Sequence, residues 1–158
     1  MTIDITINNQ QIETLDLSAV TEVVEDLEKR EGILSAEQQI QFKIDYTLPE
    51  NDPRELSEIP EIRLWFIALN ALYPWFPILL NWREGELARY TAMVVPHEFK
   101  RTEGIQYNPE ALDIFIMGKI FTLHQWLKSQ GVTGNSRLKA MAQIFGYDLD
   151  DSFFALLG

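Results

Sequence analysis

The chain has 158 residues, 46% of them hydrophobic and 11% aromatic, which is enough apolar side chain for one ordinary core. It contains no cysteine, and that excludes disulfides, thiolate metal sites, iron–sulfur ligation and a cysteine nucleophile. The net charge of −11 is confined to residues 1–61, which hold 15 acidic and 4 basic side chains, while residues 62–158 balance at 9 of each. No basic stripe offsets that acidic N-terminal third, so a nucleic-acid partner is not expected. A solvated surface outweighs an acidic docking face as its reading.

Ile3, Ile5 and Ile7 alternate with polar residues and predict a strand. Asp16 or Ser18 caps a helix carrying Val20, Val23, Val24 and Leu27, and Gly32 stops it. Ile40, Phe42, Ile44, Tyr46 and Leu48 alternate through a second strand, ended by Pro49. The turn at Asn51-Asp52-Pro53 opens one helical turn, and Pro60 closes it. Ile62 to Leu69 reads as a buried strand, with a helix left open for so short an apolar run. After the aromatic connector Tyr73-Pro74-Trp75-Phe76-Pro77, Ile78 to Trp82 and Leu87 to Val95 form the arms of a hairpin about Arg83-Glu84-Gly85-Glu86.

Asn108-Pro109 starts a long helix that runs to Gln130 and stops at Gly131. Two shorter helices follow, over 136–145 with Ser136 as cap and Gly146 as stop, and over 149–157 with Asp148 as cap. On the long helix Leu112, Phe115, Ile116, Ile120, Leu123, Trp126 and Leu127 fill one arc, and Ile114, Met117 and Phe121 form a second stripe opposite. Ile144, Phe153, Phe154 and Leu157 are expected to cover that stripe. Lys119 points into the main arc, where it snorkels or finds a carboxylate. The predicted class is α+β, a single domain over residues 1–158. A mostly antiparallel sheet packs against a long central helix with shorter C-terminal helices.

No chemical engine is visible. The glycines of Gly131-Val132-Thr133-Gly134 match no phosphate-binding pattern and read as a helix stop and the approach to a cap. His97 and His124 stand far apart without ligand spacing, so no metal or other cofactor is expected. No GxSxG elbow marks a nucleophile, and no catalytic residue is assigned. The stretch from Leu64 to Trp82 is too broken by prolines to span a bilayer, and the N-terminus has neither signal-peptide nor transit-peptide character, so a cytoplasmic protein is expected. The densest mix of Trp, Tyr, Arg and Glu lies in Trp82–Tyr90, followed by Pro96-His97. Those are interface residue types, and Trp82, Arg83, Glu86, Arg89 and His97 are the candidate partner-binding residues. Cross-strand packing of Trp82 on Tyr90 explains the same run equally well.

Arg63-Leu64-Trp65-Phe66, Tyr73-Pro74-Trp75, the run from Trp82 through Gly85-Glu86-Leu87-Ala88-Arg89-Tyr90 to Val95-Pro96-His97, Asn108-Pro109-Glu110-Ala111-Leu112 and the ending Met141 to Tyr147 together resemble the chlororespiratory reduction 6 family. The resemblance covers most of the chain from about residue 62. It implies a non-enzymatic maturation and assembly factor of oxygenic phototrophs. The client would be NdhI, the ferredoxin-type subunit with two iron–sulfur clusters in the hydrophilic arm of the photosynthetic NAD(P)H dehydrogenase-like complex. Plant members work in the chloroplast stroma, and this chain looks like a cytoplasmic, cyanobacterial member. The alternatives are a small enzyme or ligand-binding domain using the loop around His97, and a structural subunit retained in the complex.

Overall fold

Alternating isoleucines build the first element. Strand β1 (Ile3–Asn8) turns Ile5 and Ile7 inward, and β2 (Ile40–Asp45) lies beside it with Ile5 opposite Phe42 and Ile7 opposite Ile44. The computed structural model describes residues 1–30, 32–84, 97–100, 102, 104–107 and 110–158.

The β1–β2 pair is parallel, which corrects the expectation of a mostly antiparallel sheet. The cause is the connection. Helices α1 (Asn9–Glu13) and α2 (Ser18–Arg30) carry the chain back to the starting end, as a crossover between parallel strands requires. Asn8 caps α1, its side-chain oxygen accepting from the Gln11 amide at 3.0 Å. Asp16 accepts from the Ser18 amide at 2.9 Å ahead of α2, and Gly32, at φ +76°, donates to the Leu27 carbonyl at 3.1 Å after it. Only glycine takes that left-handed conformation without strain. Strand β2 ends at Asp45, short of the Leu48 expected from alternation.

Residues 62–69 are helical, not a buried strand: α3 spans Pro60–Leu72. Ile62, Trp65 and Leu69 fall on one helical face and are each at most 2% exposed. Pro60 opens this helix rather than closing the preceding single turn at Leu56–Glu58, because a first helical residue needs no amide hydrogen and proline's φ is preset. Nor is Ile78–Trp82 a hairpin arm. A turn occupies Phe76–Ile78, and the backbone beyond it bonds to the β2 edge: Ile40 N–H donates to Leu79 O at 2.8 Å, and Asn81 N–H to Ile40 O at 2.7 Å. Leu80 thereby forms a single parallel bridge with Ile40.

Strands β3 (His97–Lys100) and β4 (Gly104–Tyr107) form a separate antiparallel ribbon. The long helix α4 spans Glu110–Ser129 and ends at Gly131, φ +70°; its expected start at Asn108-Pro109 lies outside the described residues. Helix α5 (Asn135–Ile144) takes Gly134 at its cap position, so Ser136 sits inside the helix. Helix α6 (Asp151–Leu157) is capped by Asp150, not Asp148: the Asp150 carboxylate accepts from Phe153 N at 3.0 Å.

Two apolar clusters result. The first joins β1, β2, α2 and α3 around Trp65, Phe76 and Ile40. The second joins α4, α5 and α6 around Ile116, Ile120, Leu123 and Leu127. Trp75 and Trp126 belong to both, with ring centroids 6.3 Å apart and nearly perpendicular planes. Of the main arc of α4, Ile116, Ile120, Leu123 and Leu127 are therefore inside, while Phe115 and Trp126 are only half-buried. Its second stripe is covered in part. Phe121 meets Phe153 at 6.3 Å, while Ile114 stays 73% exposed.

Four aspartates, three exposed and Asp52 half-buried, tie this fold to pH. Asp4 is held below its ordinary range chiefly by the Lys43 ammonium, Asp16 by the Ser18 amide, Asp52 by the Arg54 guanidinium and Asp150 by the Ser152 hydroxyl. Each carboxylate is therefore favoured more in the folded than in the unfolded chain, where its pKa is about 3.9. Their stabilisation is complete above that value and is lost as pH falls through the folded values. The melting temperature followed by circular dichroism is expected to keep this contribution down to about pH 5 and to fall below about pH 4.

Candidate functional site

Where the residues after β2's partner segment leave the sheet edge, Asn81 turns the chain. Its side-chain oxygen accepts from the Arg83 amide at 3.2 Å, and residues Trp82–Glu84 make one tight turn. Trp82 is anchored twice. Its indole Nε1 donates to the Pro77 carbonyl at 2.8 Å, and its ring meets the edge of Phe145 at 5.5 Å and 90°. An indole wedged this way has no rotamer freedom left to lose on contact with a partner.

Trp82 and Arg83 border a cleft of about 340 Å³. It is lined by Pro77 and Ile78, by Leu123 and Leu127 of α4, and by Leu138, Met141 and Ile144 of α5. Glu37 and Arg137 also line it, paired with Arg137 Nε 2.7 Å from Glu37 Oε2. Arg83 is exposed, and among the described residues its guanidinium has no ion-pair partner. The volume lies at the lower end of the range for ligand clefts, and the lining is apolar with a few polar groups at the rim. Chemically, such a lining has room for an apolar side chain and a charge at the rim to pair with its neighbour.

Of the five candidate residues, the structure brings Trp82 and Arg83 together on this cleft. Glu86 and Arg89 lie outside the described residues, as does most of the expected hairpin. His97 opens β3, opposite Tyr107. Sequence reasoning missed the α5 wall, although Leu138, Met141 and Ile144 follow helical spacing that signals a one-sided apolar face. His124 is elsewhere, on α4 beside Phe154 at 6.1 Å, bordering a second cleft of about 490 Å³ with Lys128 and the 131–135 loop. Lys119 is half-buried over the Phe115 ring, 5.5 Å from its centroid, and burial pushes its pKa down. The ring face partly replaces lost hydration. Among the described residues no group of three His, Asp or Glu side chains could hold a metal ion, and no helix is long and apolar enough to cross a membrane.

The geometry is a helix-walled cleft beside a short parallel sheet. The chain belongs to the chlororespiratory reduction 6 family, whose model it matches over residues 7–156, nearly its whole length. Membership gives it a role in chlororespiratory reduction and in assembly of the NAD(P)H dehydrogenase-like complex. No solved structure matches the chain.

Proposed function

We propose that this chain is a non-enzymatic, cytoplasmic assembly factor of a cyanobacterium that holds the iron–sulfur subunit NdhI while the hydrophilic arm is built. The observation that carries the reading is the family match across 7–156. The cleft beneath Trp82 supports it, because it offers a fixed aromatic wall and a rim guanidinium for a protein segment. With no cysteine to donate, the chain acts on the client polypeptide and not as a ligand to its clusters. Trp82, Arg83, Glu86, Arg89 and His97 form the capture surface in this reading, with the guanidiniums pairing client carboxylates and carbonyls.

The test is direct binding of purified chain to refolded NdhI, with Arg83→Glu and Arg89→Glu compared with wild type. Arg83→Glu, at an exposed site, is expected to melt within a few degrees of wild type, since an exposed substitution is usually worth under about 0.5 kcal/mol. The same is expected of Arg89→Glu from the strand alternation that sets Arg89 on the face away from Ala88, Tyr90 and Ala92. Both are expected to weaken capture, by about tenfold if the arginine is a hot spot. A variant that melts early makes its arginine structural. One that melts and binds as wild type removes it from the surface, and no capture by wild type removes NdhI as client.

A further inference from the structure

Helix α3 is apolar on both sides, and only one side is covered. Ile62, Trp65 and Leu69 face the first cluster. On the opposite side Leu64 and Ile67 are each 52% exposed, with Ala68 and Ala71 beside them. Positions 64, 67, 68 and 71 follow the spacing of one helical face, so these side chains make a continuous strip about two turns long. Isolated exposed leucines need no explanation, but a strip of this kind marks a contact surface.

Charge says what the strip meets. Along the approach to it Glu55, Glu58 and Glu61 recur every third residue, the last standing one turn before Leu64. Capping explains how Glu55 and Glu58 are held, since Glu58 accepts from the Glu55 amide at 2.8 Å, but it leaves both carboxylates negative. Glu61 and Glu13 also stand near enough to Tyr46 to raise its pKa, after burial itself, with Arg54 opposing them. The cations of this third of the chain are already used. Lys29 pairs with Glu25, Arg30 with Asp26, Lys43 with Asp4 and Arg54 with Asp52. Glu37 takes Arg137 from α5. Arg63 and Asn70 lie along the far flank of the strip.

We infer that the outer face of α3 is a docking strip for a cationic amphipathic helix of a partner protein, whose apolar side chains cover Leu64 and Ile67 and whose lysines or arginines meet the Glu55–Glu58–Glu61 ladder. A second copy of this chain would bring two strongly negative surfaces together, and an anionic membrane would be repelled in the same way. The strip is separate from the Trp82 cleft and does not depend on which client the cleft holds.

The test uses the full chain and a fluorescent helical peptide of Leu and Lys, with Leu at positions i, i+3, i+4 and i+7, beside a Leu/Glu peptide of the same pattern. Anisotropy is expected to show binding of the Leu/Lys peptide only, weakening at least tenfold, roughly, between about 50 and 500 mM salt. Leu64→Ser/Ile67→Ser should lose about tenfold or more, while Ile114→Ser, at the exposed site on α4, should bind as wild type. Melting curves of all three chains should coincide. Equal binding by the double variant, equal loss in Ile114→Ser, or binding of the Leu/Glu peptide overturns the inference. So does early melting of the double variant, which would make the strip part of the core. Concentration-dependent dimerisation abolished by the double variant would assign the face to a second copy, and flotation with anionic vesicles would assign it to a membrane.

Discussion

Replacing Trp65 by Ala is expected to remove about 3–5 kcal/mol of stability, the usual range for truncating a large buried aromatic. The site leaves little room for relaxation. Trp65 is 1% exposed, with Phe42 edge-on at 5.9 Å and Phe66 at 5.3 Å. Its indole also donates to the Asp16 carbonyl at 3.0 Å, joining α3 to the loop that caps α2. Truncation therefore opens a cavity and strips that carbonyl of its partner, which costs about 1 kcal/mol more. Against a total of about 5–15 kcal/mol for an ordinary domain, much of the native margin would go. Trp65→Phe keeps a six-membered ring but loses the rest of the indole together with the hydrogen bond, and about 1–3 kcal/mol is expected. Urea unfolding of both variants measures this through the midpoint. A cost below about 1 kcal/mol for Trp65→Ala would mean that α3 does not turn this face inward.

Ile120→Ala is expected to cost about 2–5 kcal/mol, and Phe115→Ala less than about 2, despite the larger side chain removed. The order follows from rotation of the long helix. Ile120 is wholly buried beside Ile116, Leu123 and Leu127, whereas Phe115 sits half-exposed at the edge of the arc under Lys119. From the sequence alone Phe115 looks as central as Ile120, because a helical wheel assigns an angle but not the depth of the surface facing it. The same two melts in urea settle the order, and Phe115→Ala costing more than Ile120→Ala would contradict the packing of α4.

Elements whose signal is local were legible. The isoleucine alternation of β1, the α2 spacing ended by Gly32, the single turn near Leu56 and the long helix stopping at Gly131 each follow from neighbouring residues. What failed depended on distant partners or on a local pattern that fits two periods. Parallel pairing of β1 with β2 is set by the crossover through α1 and α2, and alternation is the same in either direction. Residues 62–69 are so uniformly apolar that period 2 and period 3.6 fit equally, and Pro60 at the first helical position was the discriminating signal. Ile78–Trp82 has strand composition but spends its backbone on the β2 edge. At the candidate site Trp82 and Arg83 stood out as interface residue types. The cleft itself did not, since α5 reaches it from more than 50 residues further along the chain.

Affinity capture of the tagged chain from a cyanobacterial strain with intact NdhI, and from one depleted of it, tests the assembly role most directly. The expected result is recovery of NdhI with the chain in a fraction lighter than the finished complex, absence of the chain from that complex, and loss of the fraction on depletion. Stoichiometric recovery of the chain in the mature complex, unchanged in the depleted strain, would contradict it.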